Sequence, residues 1–471
     1  MKIFKSALFV LFSLSAIRAS ADSKFKYYFN HPVDNTVSTG VNAINLNGYI
    51  DDTLIAYIDR AKYTLDIAVY NFTSGSGSSS LANVATAINN AYTRGVKVRW
   101  IYNNNGSSNT GLALLNSGIN KLGSPSSSGY TIMHNKFMIV DGYSPNPDES
   151  IVWTGSTNWS TTQFNTDYDN VVIIQDSALA HAYIDEFNMM WGDTGIAPNA
   201  SASKFGHTKT NLGRHNFTID GRQVELYFSP SDNTGSHILS SINSAKTDLY
   251  WGMYTFTYQT YADAIVARKN NGVYVAGIND IFSHSNTTYN TLNTNLTTMF
   301  KEYSGTGIYH NKYLIVDASD TCSDPLVLTG SHNWSNAANT DNDENTLIIH
   351  DPVAANVYYQ SFKADFNALG GTLAHQDGCT TAVPELAPSI NGLTVSPNPS
   401  VGNFILSCKI NKPQQLTVSI ISIDGKVNNI ILNEWQNSGY FKRQFAVPSP
   451  GIYVIRVISG NEVYTQRLIS E

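Results

Sequence analysis

The sequence predicts an α/β protein built by internal duplication, with mixed sheets flanked by helices, followed by a small all-β Ig-like sandwich. Three observations predict it. A stretch reading His-Asn-Lys-x4-Asp, then Thr-Gly-Ser-x-Asn-Trp-Ser, occurs twice: His134 to Asp141 with Thr154 to Ser160, and His310 to Asp317 with Thr329 to Ser335. The patterns around each copy recur at nearly constant offsets, the signature of a repeated structural unit. From about residue 392 the helical patterns stop, and short alternating runs separated by turns replace them.

Taken in order, the chain opens with Lys2 and Lys5, an apolar run from Ala7 to Ile17, and Ala19-Ser20-Ala21. This is the charged, apolar, small-residue order of a secretory signal over residues 1–21. The run is too short to span a bilayer comfortably. The first half, residues 25–191, holds a helix pattern from Leu54 to Lys62 leading into a strand, Leu65 to Tyr70. A second helix, Val84 to Tyr92, stops at Gly95 before a strand from Val96 to Tyr102. Residues 192–221 form a polar connector. In the second half, residues 222–369, Ile238 to Lys246 leads into Leu249 to Tyr254, and Ala262 to Asn270 stops at Gly272 before Val273 to Ile278. The Ala-Lys pairs lie 184 positions apart, the glycines 177, the motif histidines 176 and the Gly-Ser pairs 175. Such a shrinking offset is expected when loops vary, and the Ser/Gly-rich loop Ser74 to Ser80 has room for the extra length. Both halves also open alike, Tyr28-Phe29-Asn30-His31-Pro32 answering Tyr227-Phe228-Ser229-Pro230. Repeated strand–helix–strand order argues for layered sheets joined by right-handed crossovers. Residues 370–391 read as a linker. Residues 392–471 show a sandwich rhythm, with runs such as Gln415 to Ile423 and Ile452 to Ile458 beside the turns Asp424-Gly425 and Gly460-Asn461. This last segment has no histidine.

At 471 residues the chain has room for more than one domain. Only 14% of residues are charged and the formal net charge is −7, which weighs against non-specific binding to a polyanion without excluding a local basic patch. Export permits a disulfide among Cys322, Cys379 and Cys408; Cys322 with Cys379 is the pairing to test first, and buried free thiols are the alternative. No Cys-x-x-C metal site or Cys–His nucleophile is present.

Alternate residues of a strand share a face, so His134 and Lys136 point one way and Asp141 the other, as do His310 and Lys312 against Asp317. Asn158 and Asn333 follow Gly-Ser turns, where Gly155 and Gly330 let the backbone approach a bound group. Two histidines, two lysines and two asparagines converging on one point suit a phosphodiester. The lysines, the amides and the hydroxyls of Ser156 and Ser331 would hold the non-bridging oxygens. One imidazole would attack phosphorus, and the other would protonate the leaving oxygen and then activate water. These roles need opposite protonation states, which histidine supplies near neutral pH. Asp169 and Glu344, 175 apart, are the candidate carboxylates to orient the imidazoles, each serving either its own half or the other. A metal site is disfavoured, because each Lys places an ammonium beside the imidazole on its face. Trp159 and Trp334 read as core packing, and His284, His332 and His350 as incidental.

The paired H-x-K-x4-D and G-S-x-x-N motifs resemble the phospholipase D superfamily over residues 25–369. That resemblance implies a two-lobed fold with the site between the lobes, a phosphohistidine intermediate, no cofactor, no metal, and a monomer whose one chain supplies both motifs. It implies His134 as nucleophile, His310 as general acid, and structural roles for Asp141 and Asp317. The tail, through Val395-Ser396-Pro397-Asn398-Pro399, Asp424-Gly425-Lys426 and Pro450-Gly451-Ile452-Tyr453-Val454, resembles type IX sorting domains. It implies the type IX secretion machinery as a partner and delivery to the outside or outer surface of a bacterium, usually with removal of the tail. An ordinary carbohydrate- or protein-binding sandwich is its alternative. Three functions are thereby open: a phospholipase acting on phospholipid headgroups at a membrane surface, a metal-independent endonuclease cleaving DNA or RNA, and a non-catalytic phosphate-binding surface protein. Net acidity and scarce Lys and Arg favour the lipid. The motif identifies the bond and leaves its alcohols unnamed.

Overall fold

The repeat becomes two copies of one sheet. In the computed structural model, residues 23–73, 79–104, 109–126, 130–211, 213–374, 389–423, 426–459 and 462–471 are described. The expected signal, most of the Ser74 to Ser80 loop, most of the linker, Cys379, and the turns Asp424-Gly425 and Gly460-Asn461 lie outside them. The chain separates into two compact units, Met1–Gly378 and Cys379–Glu471.

Among the described residues, the first sheet runs in the order Ile44–Asn45, Phe25–Phe29, Asn170–Gln175, Ile151–Gly155, Lys136–Val140, Thr64–Val69, Lys97–Tyr102, Asn120–Gly123. The second runs Asn216–Ile219, Arg222–Ser229, Glu344–His350, Leu326–Gly330, Lys312–Val316, Asp248–Met253, Tyr274–Asp280, Phe300–Tyr303. In each, antiparallel pairs fill the centre and parallel pairs lie beyond Thr64–Val69 or Asp248–Met253. The central strands are β-branched runs such as NVVIIQ, buried on both faces because helices cover both faces. The two copies part at one edge. Asn216–Ile219, inside the stretch expected to be only a connector, forms a hairpin with Arg222–Ser229, where the first sheet has the parallel pair Phe25–Phe29 and Ile44–Asn45.

Two equivalent helices follow the strands that carry the candidate carboxylates. Ser177–Trp191 starts where Asp176 accepts the Leu179 N–H at 2.9 Å, and it stops at Gly192 with φ +75°. Pro352–Ala368 starts where Asp351 accepts the Val353 N–H at 3.1 Å, with proline at its first position. Phe137, Tyr183, Phe228, Tyr313, Tyr358 and Phe362 from both halves belong to one continuous core, which joins the halves. Separate outer cores lie under Ile50–Ile58 with Ser80–Thr93, and under Thr234–Ser244 with Gln259–Asn270. Trp159 and Trp334 are buried in these outer cores, edge-on to Trp100 and Phe256. Among the described residues, no helix is long and apolar enough to cross a membrane.

The second unit is the expected sandwich. Ile390–Ser396, Asn403–Ile410 and Gly439–Ala446 form one sheet, and Asn428–Gln436, Gln414–Ser422, Gly451–Ser459 and Glu462–Ser470 the other, around a core including Phe404, Val418 and Ile455. Cys408 is a buried free thiol within it. Cys322 is disulfide-bonded, and its expected partner Cys379 lies outside the described residues.

Candidate active site

The motif strands are held in place by the motif aspartates. Asp141 and Asp317 end their strands in the left-handed region, at φ +51° and +52°. The Asp141 carboxylate accepts the N–H groups of Lys62, Tyr63 and Thr64 at 2.7–3.0 Å. Asp317 accepts those of Lys246, Thr247 and Asp248. Each therefore fixes the turn that starts the neighbouring strand, facing away from the histidines. Asp141→Ala leaves three partly buried N–H groups without this acceptor and is expected to cost about 2 kcal/mol, read as a lower denaturant midpoint. Activity per folded molecule should stay within about threefold, because the side chain touches no group of the site.

The candidate carboxylates cross between the halves. His134 Nδ1 lies 2.9 and 2.8 Å from the two oxygens of Glu344. His310 Nδ1 lies 2.9 Å from Asp169 Oδ1. Each half thus holds the other half's imidazole, and the choice left open by sequence falls on exchange. The backbone enforces it. His134 N–H donates to the Asp343 carbonyl and Asp343 N–H to Ile132, while Tyr168 N–H donates to Ile308 in the repeated position. Asn170 and Asn345, one residue past each carboxylate, lock the same seam. Asn170 Oδ1 accepts from Thr329 and Tyr358, and the Asn345 amide donates to Thr154 and Tyr183.

Ser156 and Ser331 differ from expectation. Their hydroxyls donate to Asp169 at 2.6 Å and to Glu344 at 2.7 Å, and accept the N–H of Asn170 and Asn345. With both bonds taken by the protein, they orient the carboxylates and are not free for phosphate. Gly155 and Gly330, both at φ +147°, allow this approach, since a Cβ at either would collide with the carbonyl of Asn170 or Asn345.

Lys136 and Lys312 each donate at 2.8 Å to the carbonyl of the histidine two residues earlier, and Lys312 Nζ also lies 3.1 Å from His310 Nε2. Asn158 and Asn333 sit on the loops after the glycines, pinned where Trp159 N–H meets the Asn71 carbonyl and Trp334 N–H that of Thr255. Their Oδ1 atoms are buried without a protein partner, and only their Nδ2 groups can donate to a phosphate oxygen. Tyr70 and Tyr254 are not among the sequence-derived candidates, yet their rings pack on His134 and His310 at 4.9 and 5.1 Å. They also lie 5.3 and 5.4 Å from the Lys136 and Lys312 ammonium groups. Their 184-residue offset, shared with the Ala-Lys pairs, was the available signal.

Burial dominates the electrostatics. It pushes His134 down to about 4 against the pull of Glu344, and pushes His310 well below its ordinary value, with Lys312, Lys136 and His134 adding to the effect. Both shifts favour the neutral imidazole. Burial also lowers Lys136 and brings Lys312 down to about 8. Asp169 is raised by burial to about 6, whereas at Glu344 burial, the largest single influence, is overcome by His134, Lys136 and His332 together, which hold the carboxyl below its ordinary value. Lys136 feels Glu344, Lys312 and Asp169 together, so the two motifs act as one electrostatic site. Among the described residues, no three His, Cys, Asp or Glu side chains gather as metal ligands. His284 pairs with Glu302 and His350 with Asp324 and Glu225. His332, by contrast, is buried and among the groups drawing the Glu344 carboxyl down.

Residues 54–191 and 238–366, more than half of the chain, match the family described as cardiolipin synthase, PLD-like domain. Residues 394–471 match the secretion system C-terminal sorting domain. The mitochondrial cardiolipin hydrolase of Drosophila melanogaster is 32% identical over 153 residues, 29% of this chain, and the chain spans only 57% of that relative's length. The solved structure of Nuc, a phospholipase D family member from Salmonella typhimurium, is 29% identical over 31% of this chain and 95% of its own, with a TM-score of 0.28. Phosphatidylserine synthase from Haemophilus influenzae is 12% identical over 75% of this chain and 86% of its own, at a TM-score of 0.49. Each of the two matching stretches carries one H-x-K-x4-D motif and lends its carboxylate to the histidine of the other, and on that ground the chain belongs to the phospholipase-D-like family, joined to a type IX sorting domain.

Proposed function

We propose that the protein is a secreted phosphodiesterase that hydrolyses the headgroup bond of phospholipids through a phosphohistidine on His134. The observation that carries the phosphodiesterase reading is the exchange of carboxylates, which points both imidazoles at one place. Glu344 accepts the Nδ1 proton of His134 and so leaves the Nε2 lone pair free for phosphorus. The P–N bond forms as the bond to the leaving oxygen breaks, and His310 Nε2–H supplies that oxygen with its proton. Water then attacks the phosphohistidine, His310 takes its proton, and the P–N bond breaks to release the second product. Lys136, Lys312, Asn158 and Asn333 hold the phosphoryl oxygens while charge builds on them.

The lipid reading draws on the mouth of the site. Ile281 and Phe282 are adjacent and exposed, at 50% and 66%, on the turn after Tyr274–Asp280. Phe282 stacks on Tyr254 at 5.1 Å, and Tyr254 in turn lies on His310. An apolar lip beside the proton-donating histidine suits a lipid surface better than a polyanion. The cardiolipin hydrolases similar to this chain agree with that preference. The sorting domain, with residues 1–21 as signal, supports export to the cell surface or beyond by the type IX machinery.

The test supplies phosphatidylcholine vesicles and, separately, single-stranded DNA, each with and without EDTA. Choline release without DNA cutting, undiminished by EDTA, is expected. DNA cutting without choline release would establish the nuclease instead. Loss of activity in EDTA would contradict the metal-free mechanism, and phosphate binding without turnover of either substrate would leave the non-catalytic reading.

A further inference from the structure

The two halves are so alike that something must decide which histidine gives the proton. The repeat itself shows where they differ. Asp167 in the first half corresponds to Asn342 in the second, and Asp280 in the second to Asn103 in the first. The correspondence is structural as well. Asn103 Oδ1 accepts Met133 N–H at 3.0 Å, just as Asp280 Oδ2 accepts Tyr309 N–H at 2.8 Å, each one residue before the motif histidine. Likewise the N–H groups of Asp167 and Asn342 donate to the carbonyls of Thr162 and Ala337. The surroundings of His134 are therefore amides where those of His310 are carboxylates.

Asp167 is 2% exposed. Its Oδ1 accepts Ile308 N–H at 3.1 Å, two residues before His310, while its Oδ2 is buried without a partner. Two residues on, Asp169 Oδ2 is also buried without a partner, its Oδ1 being the atom that holds His310. In the other half the equivalent residues are joined by a hydrogen bond, Asn342 Nδ2 donating to Glu344 Oε1 at 3.4 Å. An amide can satisfy a carboxylate there, but a second carboxylate does so only by bringing a proton. Other charges do not restore the balance. Lys312 faces Asp169, Glu344, Asp280 and Asp167, and Tyr254 faces Asp280 and Asp167. Glu344 faces His134, Lys136 and His332. Asp343, near His134, is paired with Lys209 at 2.9 Å and accepts Tyr130 and Gly206; Asp365, behind His310, is paired with His31 at 3.1 Å.

We infer that Asp167, supported by Asp280, is a positioning residue that breaks the symmetry of the site and keeps its mobile proton on the His310 side. The unpartnered Oδ2 atoms of Asp167 and Asp169 give a proton its place there, and burial, joined at Asp167 by the charge of Asp169, raises both carboxyls to about 6. When a phosphodiester arrives, its negative charge offsets the lysines, the stored proton passes from the Asp169 carboxyl to His310 Nδ1, and the Nε2–H of the imidazolium so formed goes to the leaving oxygen as the phosphorus–oxygen bond breaks. His134, among amides, stays unprotonated and nucleophilic. This role rests on the phosphodiesterase reading and deepens it.

The test is the pH profile of kcat/KM for wild type and Asp167→Asn, with two substrates. Phosphatidylcholine has an alkoxide leaving group that needs a proton, and bis(p-nitrophenyl) phosphate a leaving group that does not. Removing a nearby negative charge weakens proton binding. The falling, alkaline limb of Asp167→Asn should therefore move to lower pH by about one unit, roughly a tenfold loss at pH 7, with phosphatidylcholine. With bis(p-nitrophenyl) phosphate the change should be within about twofold. An unshifted limb, or equal losses on both substrates, would overturn the inference. Asparagine already occupies the equivalent position 342, so the fold accommodates it. Should that variant misfold, Asp280→Asn carries the same expectation, with asparagine at position 103 as its precedent. Wild type turning over neither substrate would instead defeat the phosphodiesterase reading on which the inference rests.

Discussion

Replacing His134 by asparagine is expected to lower turnover by roughly 10⁴-fold or more, with substrate binding changed little. Asparagine is polar and smaller than the imidazole, so it leaves the Glu344 carboxylate a donor without supplying a nucleophile. Lys136, Lys312, Asn158 and Asn333 all remain, so the proposed cradle for the phosphoryl group is unchanged. The loss should therefore appear in kcat, with KM within about threefold of wild type, because an interaction made only on the way to the transition state has been removed. A residual activity above that level would show that the attacking atom is water or another side chain.

The second large effect lies in the other half of the chain. Glu344→Gln is nearly isosteric, yet it should cost roughly 10²–10⁴-fold in kcat. The Glu344 carboxylate has three tasks within bonding distance. It accepts Nδ1–H of His134, accepts the Ser331 hydroxyl at 2.7 Å, and is held anionic by His134 and Lys136 against its own burial. A glutamine amide offers one acceptor and one donor at the same place. Its donor facing Nδ1 would move the imidazole proton to Nε2, the atom that must attack. Titration of kcat/KM reads this directly. Glu344 stays ionised from below its ordinary value upward, so the wild type has no loss from Glu344 near neutral pH, and the variant should be slow at every pH. Asp169→Asn, in the first half, should impair the leaving-group step of His310 in the same manner. A fault in either half disabling chemistry in the other is what a single composite site requires.

Much of this was legible in the sequence, for reasons that particular residues make plain. The duplicated motif located both histidines and lysines, and strand parity turned Asp141 and Asp317 away from them. In the structure these two aspartates cap backbone turns. Asp169 and Glu344 stood out because their offset equals that of the Gly-Ser pairs. Whether they act within or across halves was not legible, since a repeat has the same spacing in either case. The backbone pairings of Met133 with Asp343 and of Tyr168 with Ile308 decide it. The serines were misread because a hydroxyl beside a phosphate site and a hydroxyl beneath its carboxylate have the same address in sequence. Tyr70 and Tyr254 were visible as a repeated pair but sat at strand ends, where tyrosine is unremarkable. Asp167 was hidden for the opposite reason. It matters where the halves differ, and a search for repetition passes over differences. The edge strand Asn216–Ile219 escaped because its polar neighbours read as connector and its partner lies only a turn away.

One site, built by both halves, is expected to pass the phosphoryl group through His134. The most direct measurement is an alkaline-quenched turnover of phosphatidylcholine followed by peptide mapping, run on wild type, His134→Asn and His310→Asn. The account predicts a phosphoryl adduct on the peptide containing His134 in wild type, its accumulation in His310→Asn as hydrolysis slows, and its absence in His134→Asn. An adduct on the peptide containing His310, or turnover with no histidine adduct in any of the three, would contradict it.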